Sequence, residues 1–147
     1  MIIIAHRANL YGPNSKEENR ISSILNCLNL GFDVEVDVWN INNKLFLGHD
    51  EPQEQIDIEF LMNNKLWCHA KNLESLQLML DNNINCFWHE NDKFTLTSKG
   101  IIWTYPNNKL TKKSVCVMPE IQSIEIEQLK EIHGICTDFC FDYKKRM

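Results

Sequence analysis

Short apolar runs that each end on polar residues recur along the whole chain. Met1–Ala5 leads to His6 and Arg7, and Phe32–Val38 carries Glu35 and Asp37. Leu66–Cys68 leads to His69 and Lys71, Cys86–Trp88 to His89 and Glu90, Ile101–Trp103 to Thr104, and Ile135–Cys136 to Thr137 and Asp138. Val115–Met118 precedes Glu120 in the same way. Each run is of strand length and several are β-branched. Between some of them the period becomes helical. Ile21, Ile24, Leu25 and Leu28 follow the i, i+3, i+4, i+7 rule, with Ser15 and Glu18 spaced as a capping box and Gly31 as the stop. Leu73, Leu76 and Leu80 behind Asn72 predict a second helix, Ile126, Leu129 and Ile132 behind Ser123 a third, and residues 57–63 a short one. Strands alternating with helices imply an α/β fold with a parallel sheet or barrel, whose ligand sits beyond the carboxyl ends of the strands.

Length limits that fold. The chain has 147 residues, whereas a complete (β/α)8 barrel takes about 250. No linker or repeat divides it, so residues 1–147 are read as a single domain. A net charge of -5 disfavours nucleic acid and anionic lipid as partners. No apolar run approaches a membrane span, and Ile2–Ala5 is too short for a signal-peptide core, which points to the cytoplasm. The six cysteines contain no C-x2-C pair and read as buried small hydrophobes in a reducing compartment.

Chemistry concentrates where the runs end. Glu35 and Asp37 lie two apart on a strand, so their side chains share one face. Paired acids on an otherwise apolar strand repel, and a hard divalent cation would relieve both the repulsion and the burial. The segment after Asp37 reads as a hairpin. A three-residue loop, Ile41–Asn43, would set His49 opposite Glu35; a two-residue turn at Asn42-Asn43 would set it opposite Val36, facing away.

These residues resemble the glycerophosphodiester phosphodiesterases, within the phosphatidylinositol-phospholipase-C-like phosphodiesterases. The family pattern opens on a strand ending in His-Arg-Gly, then Glu-Asn-Thr, then Gly-x-Asp-x-x-Glu-x-Asp-Val, then His-Asp. Here the matching stretches are Ala5-His6-Arg7-Ala8, Glu18-Asn19-Arg20, Gly31 to Val38, and Gly48-His49-Asp50. Cys68-His69-Ala70-Lys71 looks like the family's Glu-x-Lys, Trp103-Thr104 like its late Trp-Thr, and Gly134 to Asp138 like its final Gly-Ile-x-Thr-Asp. Ala8 replaces a glycine, the step from Gly31 to Glu35 is one residue short, and His69 stands where the family has a third acidic ligand.

The resemblance implies a phosphoric diester hydrolase acting on a small glycerophosphodiester-like substrate. His6 and His49 would be general acid and base, in an order the sequence leaves open. Arg7 and Lys71 would grip the phosphate, Trp103 would wall the mouth, and Glu35, Asp37 and His69 would hold one divalent ion. Mg2+ or Ca2+ suits the carboxylates, while His69 favours Mn2+ or Zn2+; Glu90 and Glu120 are alternative third ligands. A non-catalytic phosphate- or metal-binding module is the alternative function. The implied fold is a miniature, incompletely covered TIM-type barrel with about eight strands, near residues 1–6, 33–38, 66–70, 85–89, 94–97, 101–104, 114–118 and 134–138, and only three to four helices. Residues 91–114 would lack helices, leaving apolar surface that a second copy could cover.

Overall fold

Apolar alternation decides which face of each strand meets the helices. In the computed structural model, which describes residues 1–147, ten strands form one curled mixed sheet. They are β1 (Ile2–Ala5), β2 (Asp33–Ile41), β3 (Lys44–Leu47), β4 (Glu54–Ile56), β5 (Leu66–Ala70), β6 (Cys86–Phe87), β7 (Phe94–Leu96), β8 (Ile102–Thr104), β9 (Ser114–Val117) and β10 (Gly134–Thr137). Five helices accompany them: α1 (Ile21–Asn29), α2 (Ile58–Leu61), α3 (Leu73–Asp81), α4 (Ile126–Lys130) and α5 (Cys140–Arg146).

Strands β6, β5, β2, β1, β10, β9 and β8 are parallel neighbours in that order, and β7 pairs antiparallel with β8. Beyond β7, Ser98 donates its N–H to Cys86 O (2.8 Å) and accepts the Cys86 N–H on Oγ (3.0 Å). The two edges of the curl therefore meet through one residue, making a partial barrel. Strands β3 and β4 extend the far half of β2 as an antiparallel meander.

Valines 34, 36 and 38 of β2, with Leu66, Cys68 and Ala70 of β5, pack against Ile24, Cys27 and Met79 of α1 and α3. The alternate residues Ile4, Trp67, Phe87, Trp103, Val115 and Cys136 form a separate cluster on the other face. Leu129 of α4 and Tyr143 of α5 cover Cys116 and Ile135. All six cysteines are buried and unpaired. No helix is long and apolar enough to cross a membrane.

Most of the expected strands and helices stand where the sequence places them, and residues 91–114 contain no helix. Phe94 and Leu96 of β7 are exposed there, on the surface no helix covers. Four details differ. The meander raises the strand count from about eight to ten. A fifth helix exceeds the three to four expected, its last turn formed by Lys144, Lys145 and Arg146, where positive charge suits the helix dipole. Helix α1 begins at Ile21, whose N–H is capped by Glu54 Oε2 (2.8 Å), so Ser15 and Glu18 form no capping box. Helix α4 begins after Glu125 and not behind Ser123. The Asn72 capping box of α3 and the Gly31 stop of α1 are present, the latter with Phe32 N–H bonded to Cys27 O and Gly31 N–H to Leu28 O.

Gly134 pairs with Ile2, and a Cβ there would lie 2.9 Å from Ile2 O and 2.5 Å from Ile2 Cγ1. We expect Gly134→Ala to force β10 off β1 and to destabilise the protein by about 1–3 kcal/mol in denaturant titration. An unchanged midpoint would mean that this strand contact is looser than described.

Candidate active site

Each functional side chain is delivered by a strand end. After β1 the chain turns sharply in a single 3-10 turn, His6–Ala8, with Arg7 at φ 51° and Ala8 at φ 68°. Ala8 thus occupies the left-handed region that glycine enters without a Cβ penalty. The turn aims the Arg7 N–H at Glu35 Oε2 (3.1 Å) and sets His6 Nδ1 2.9 Å from Asp138 Oδ1 at the end of β10. The Asp138 N–H is held by Glu120 Oε1 (3.0 Å), whose other oxygen accepts from Thr137 Oγ1 (2.9 Å).

On β2, the period of two brings Glu35 and Asp37 to the inner face, 3% and 1% exposed. The parallel register sets Asp37 beside His69 and Glu35 beside Trp67. The hairpin uses the two-residue turn, with Asn42 and Asn43 both at positive φ and Ile41 paired to Lys44. Continued regularly, that register would turn His49 away. The ladder instead stops at Leu47, and Gly48, at φ 150°, swings the chain so that His49 Nδ1 lies 3.0 Å from Asp37 Oδ2. A Cβ at Gly48 would lie 2.0 Å from Glu51 O, so no other residue fits this corner.

Asp37 is the hub. Its Oδ2 accepts from Asn19 Nδ2 (2.9 Å) and His49 Nδ1, and its Oδ1 from His69 Nδ1 (3.0 Å). Lys71 Nζ and Arg7 Nε each stand 3.7 Å away. The Asp37 N–H is bonded to Asn19 Oδ1 (2.8 Å). Burial works against its charge, but the bonds from His49 and His69 outweigh that and hold the carboxyl far below the usual carboxylate range. Glu35 accepts only the Arg7 N–H, and burial together with the Asp37 charge pushes its carboxyl up. For His6, burial disfavours the proton, yet the Asp138 bond and the Glu35 charge hold its value above the ordinary one.

His6, Arg7, Glu35, Asp37, His49, His69 and Lys71 all line one cavity of about 540 Å³. Trp103 lies beneath it and not at its mouth: 2% exposed, its ring packs on Phe87 and Trp67. Tyr105, on the same strand period, lines the cavity together with Trp103 and stacks on His89. Glu90 lines the cavity from an exposed position outside the close group of Glu35, Asp37 and His69, and Glu120 is committed to β10. Glu18, expected at a helix cap, bonds Arg7 NH1 (3.4 Å) and Asn9 Nδ2 (2.9 Å). Sequence reasoning missed Asn9, Asn19 and the His6–Asp138 pair. Asn19 carried a signal in the Glu18-Asn19 motif and Asp138 one in the Gly134–Asp138 stretch, while Asn9 carried none.

Three of the cavity side chains could hold a metal ion. One ligand atom each from Glu35, Asp37 and His69 lie within 4.8 Å of one another. His69 Nε2 points at His89 O (3.4 Å), the backbone-carbonyl contact that metal-bound histidines commonly make through their second nitrogen. An ion there would replace the proton that His69 Nδ1 shares with Asp37 Oδ1, leaving the ring proton on Nε2 toward His89 O. Comparison with protein families, curated proteins and solved structures finds no match to this chain.

The His6–Asp138 pair gives a pH signature. A raised imidazole value stabilises the fold fully below the ordinary value and progressively less as pH rises through the folded one; a lowered carboxyl value, as Asp138 has, stabilises above its ordinary value and less as pH falls through the folded one. Both contributions are complete between about pH 4 and 6.5. Asp138→Asn should lower the unfolding free energy most in that window, by about 1–3 kcal/mol, and less at about pH 2 or 9. A difference independent of pH would contradict the pairing.

Proposed function

We propose that this protein is a metal-dependent phosphodiesterase on a shrunken TIM-type barrel, acting on a small glycerophosphodiester-like substrate. The observation that carries the reading is convergence: two histidines, two cations and a buried carboxylate pair, drawn from the ends of different strands, share one cavity. The order of the parallel strands and the position of the cavity at their carboxyl ends support the barrel.

The hydrogen bonds suggest the division of labour. Arginine only donates, so the Arg7 NH2 contact at 3.0 Å marks His49 Nε2 as a lone pair, with the ring proton on Nδ1 toward Asp37. His49 is therefore the base. When a phosphate draws Arg7 onto its non-bridging oxygens, His49 Nε2 is free to take the proton of the substrate hydroxyl adjacent to the phosphodiester. That oxygen attacks phosphorus, the P–O bond to the leaving alcohol breaks, and His6, held by Asp138, delivers a proton from Nε2 to the departing oxygen. A cyclic phosphate results, and water opens it with the two histidines in exchanged roles. Lys71 adds a point charge at the phosphoryl oxygens and Arg7 a planar fork. A divalent ion held by Glu35, Asp37 and His69 would offset the negative charge that develops on phosphorus oxygens.

Hydrolysis of glycerophosphodiesters, lysophospholipids and an aryl phosphodiester, screened with Mg2+, Mn2+, Ca2+ and Zn2+, tests the reading. We expect turnover with at least one pair, reduced about 10²–10⁴-fold by His6→Ala and by His49→Ala with little change in KM. No turnover in any combination, or activity that survives both substitutions, would refute it. Phosphate binding without turnover, unaffected by His6→Ala, would instead favour a non-catalytic module.

A further inference from the structure

We propose that Asn9 is a positioning residue that joins the two halves of this site, its carboxamide clamped between Glu18, which holds Arg7, and Asp138, which holds His6. Asn9 is 4% exposed. Its Nδ2 donates to Glu18 Oε1 (2.9 Å) and to Asp138 Oδ1 (2.8 Å), using both amide protons. The amide orientation is unambiguous. Two carboxylates can only accept, and on the other side Oδ1 accepts the Asn14 N–H (3.2 Å).

The bonds continue in both directions without a gap. From Asp138 Oδ1 the path reaches His6 Nδ1 (2.9 Å); from Glu18 Oε2 it reaches Arg7 NH1 (3.4 Å), and Arg7 NH2 reaches His49 Nε2 (3.0 Å). Four side chains, Asp138, Asn9, Glu18 and Arg7, thus connect the acid histidine to the base histidine, and Asn9 is the uncharged one among them. Its chemistry suits the place. Without an amide donor the two carboxylates would face each other across a buried gap, and each would relax away from its partner. Asp138 would then no longer fix the His6 tautomer, and Glu18 would no longer hold Arg7 over His49.

The catalytic consequence rests on the phosphodiesterase reading; the positioning role does not, and the test separates them. The probe is the ring N–H region of the histidine NMR spectrum in the intact protein, recorded with hydrolysis of an aryl phosphodiester. In the wild type, the His6 Nδ1–H should be downfield and slow to exchange. Asn9→Asp keeps the side-chain shape but replaces the donor with a third carboxylate. We expect it to abolish the slow-exchanging His6 signal and shift that of His49. His133, which packs on Trp67 at the opposite end of the sheet, should be unaffected. We expect kcat to fall roughly 10–100-fold, as for other residues that orient a reacting group. Asn9→Ser, which retains one donor, should restore part of both the signal and the rate, and it carries the test should the aspartate variant not fold. An unchanged His6 signal in a folded variant overturns the proposal whatever the turnover. A wild type without turnover on any substrate and metal of the screen above, together with a His6 signal that is lost in Asn9→Asp, refutes the phosphodiesterase reading and leaves the positioning role intact.

Discussion

A carboxylate that is 1% exposed must find its partners within the protein, and Asp37 finds five of them at four places along the chain. Asn19 comes from the loop before α1, His49 from the corner after β3, and His69 and Lys71 from the end of β5, while Arg7 comes from the turn after β1. An unescorted buried charge would cost several kcal/mol, so satisfying Asp37 and assembling the site are one event. The groups that neutralise Asp37 are those the proposed phosphodiesterase chemistry would use: an imidazole with a free nitrogen, two cations for phosphoryl oxygens, and a second imidazole that could hold an ion.

The division of β2 into two faces makes this affordable in a short chain. Val34, Val36 and Val38 bind the sheet to α1 and α3, leaving Glu35 and Asp37 free of any packing role. The cavity floor is supplied by large aromatics, Trp67, Phe87 and Trp103, which fill the inner face with few residues. Helices can then be omitted over residues 91–114, where only the short β7–β8 pair remains, without disturbing the half of the sheet that carries the site.

Much of this was legible in the sequence because it depends on period and strand ends. The alternation of Glu35 and Asp37 with valines implied one inward face, and the apolar runs ending at His6 and His69 implied that these side chains meet at one end of the sheet. What was not legible depends on single bonds between distant loops. Glu18 has the spacing of a capping residue, yet the partner that outcompetes the helix N-terminus is an arginine eleven residues earlier. Turn length alone gave His49 the wrong facing for the turn actually used, because Gly48 ends the alternation, a backbone event that no side-chain pattern encodes. Asp138 stood out only as the polar end of the Gly134–Asp138 stretch, since its bond to His6 spans the whole chain. Asn9 sits in a polar loop of an asparagine-rich sequence, where nothing distinguishes it until its two carboxylate neighbours are in view.

The most direct test of Asp37 as the organising charge is the rate of phosphodiester hydrolysis by Asp37→Asn, measured with the metal and substrate that serve the wild type best and with folding checked by circular dichroism. The amide keeps the shape but removes the charge that gathers His49, His69, Lys71 and Arg7. A folded variant slowed by roughly 10³-fold or more is the predicted result, since it combines loss of ion binding with loss of histidine orientation. A folded variant within about tenfold of the wild type would contradict the account, because acid–base catalysis alone would leave a larger deficit.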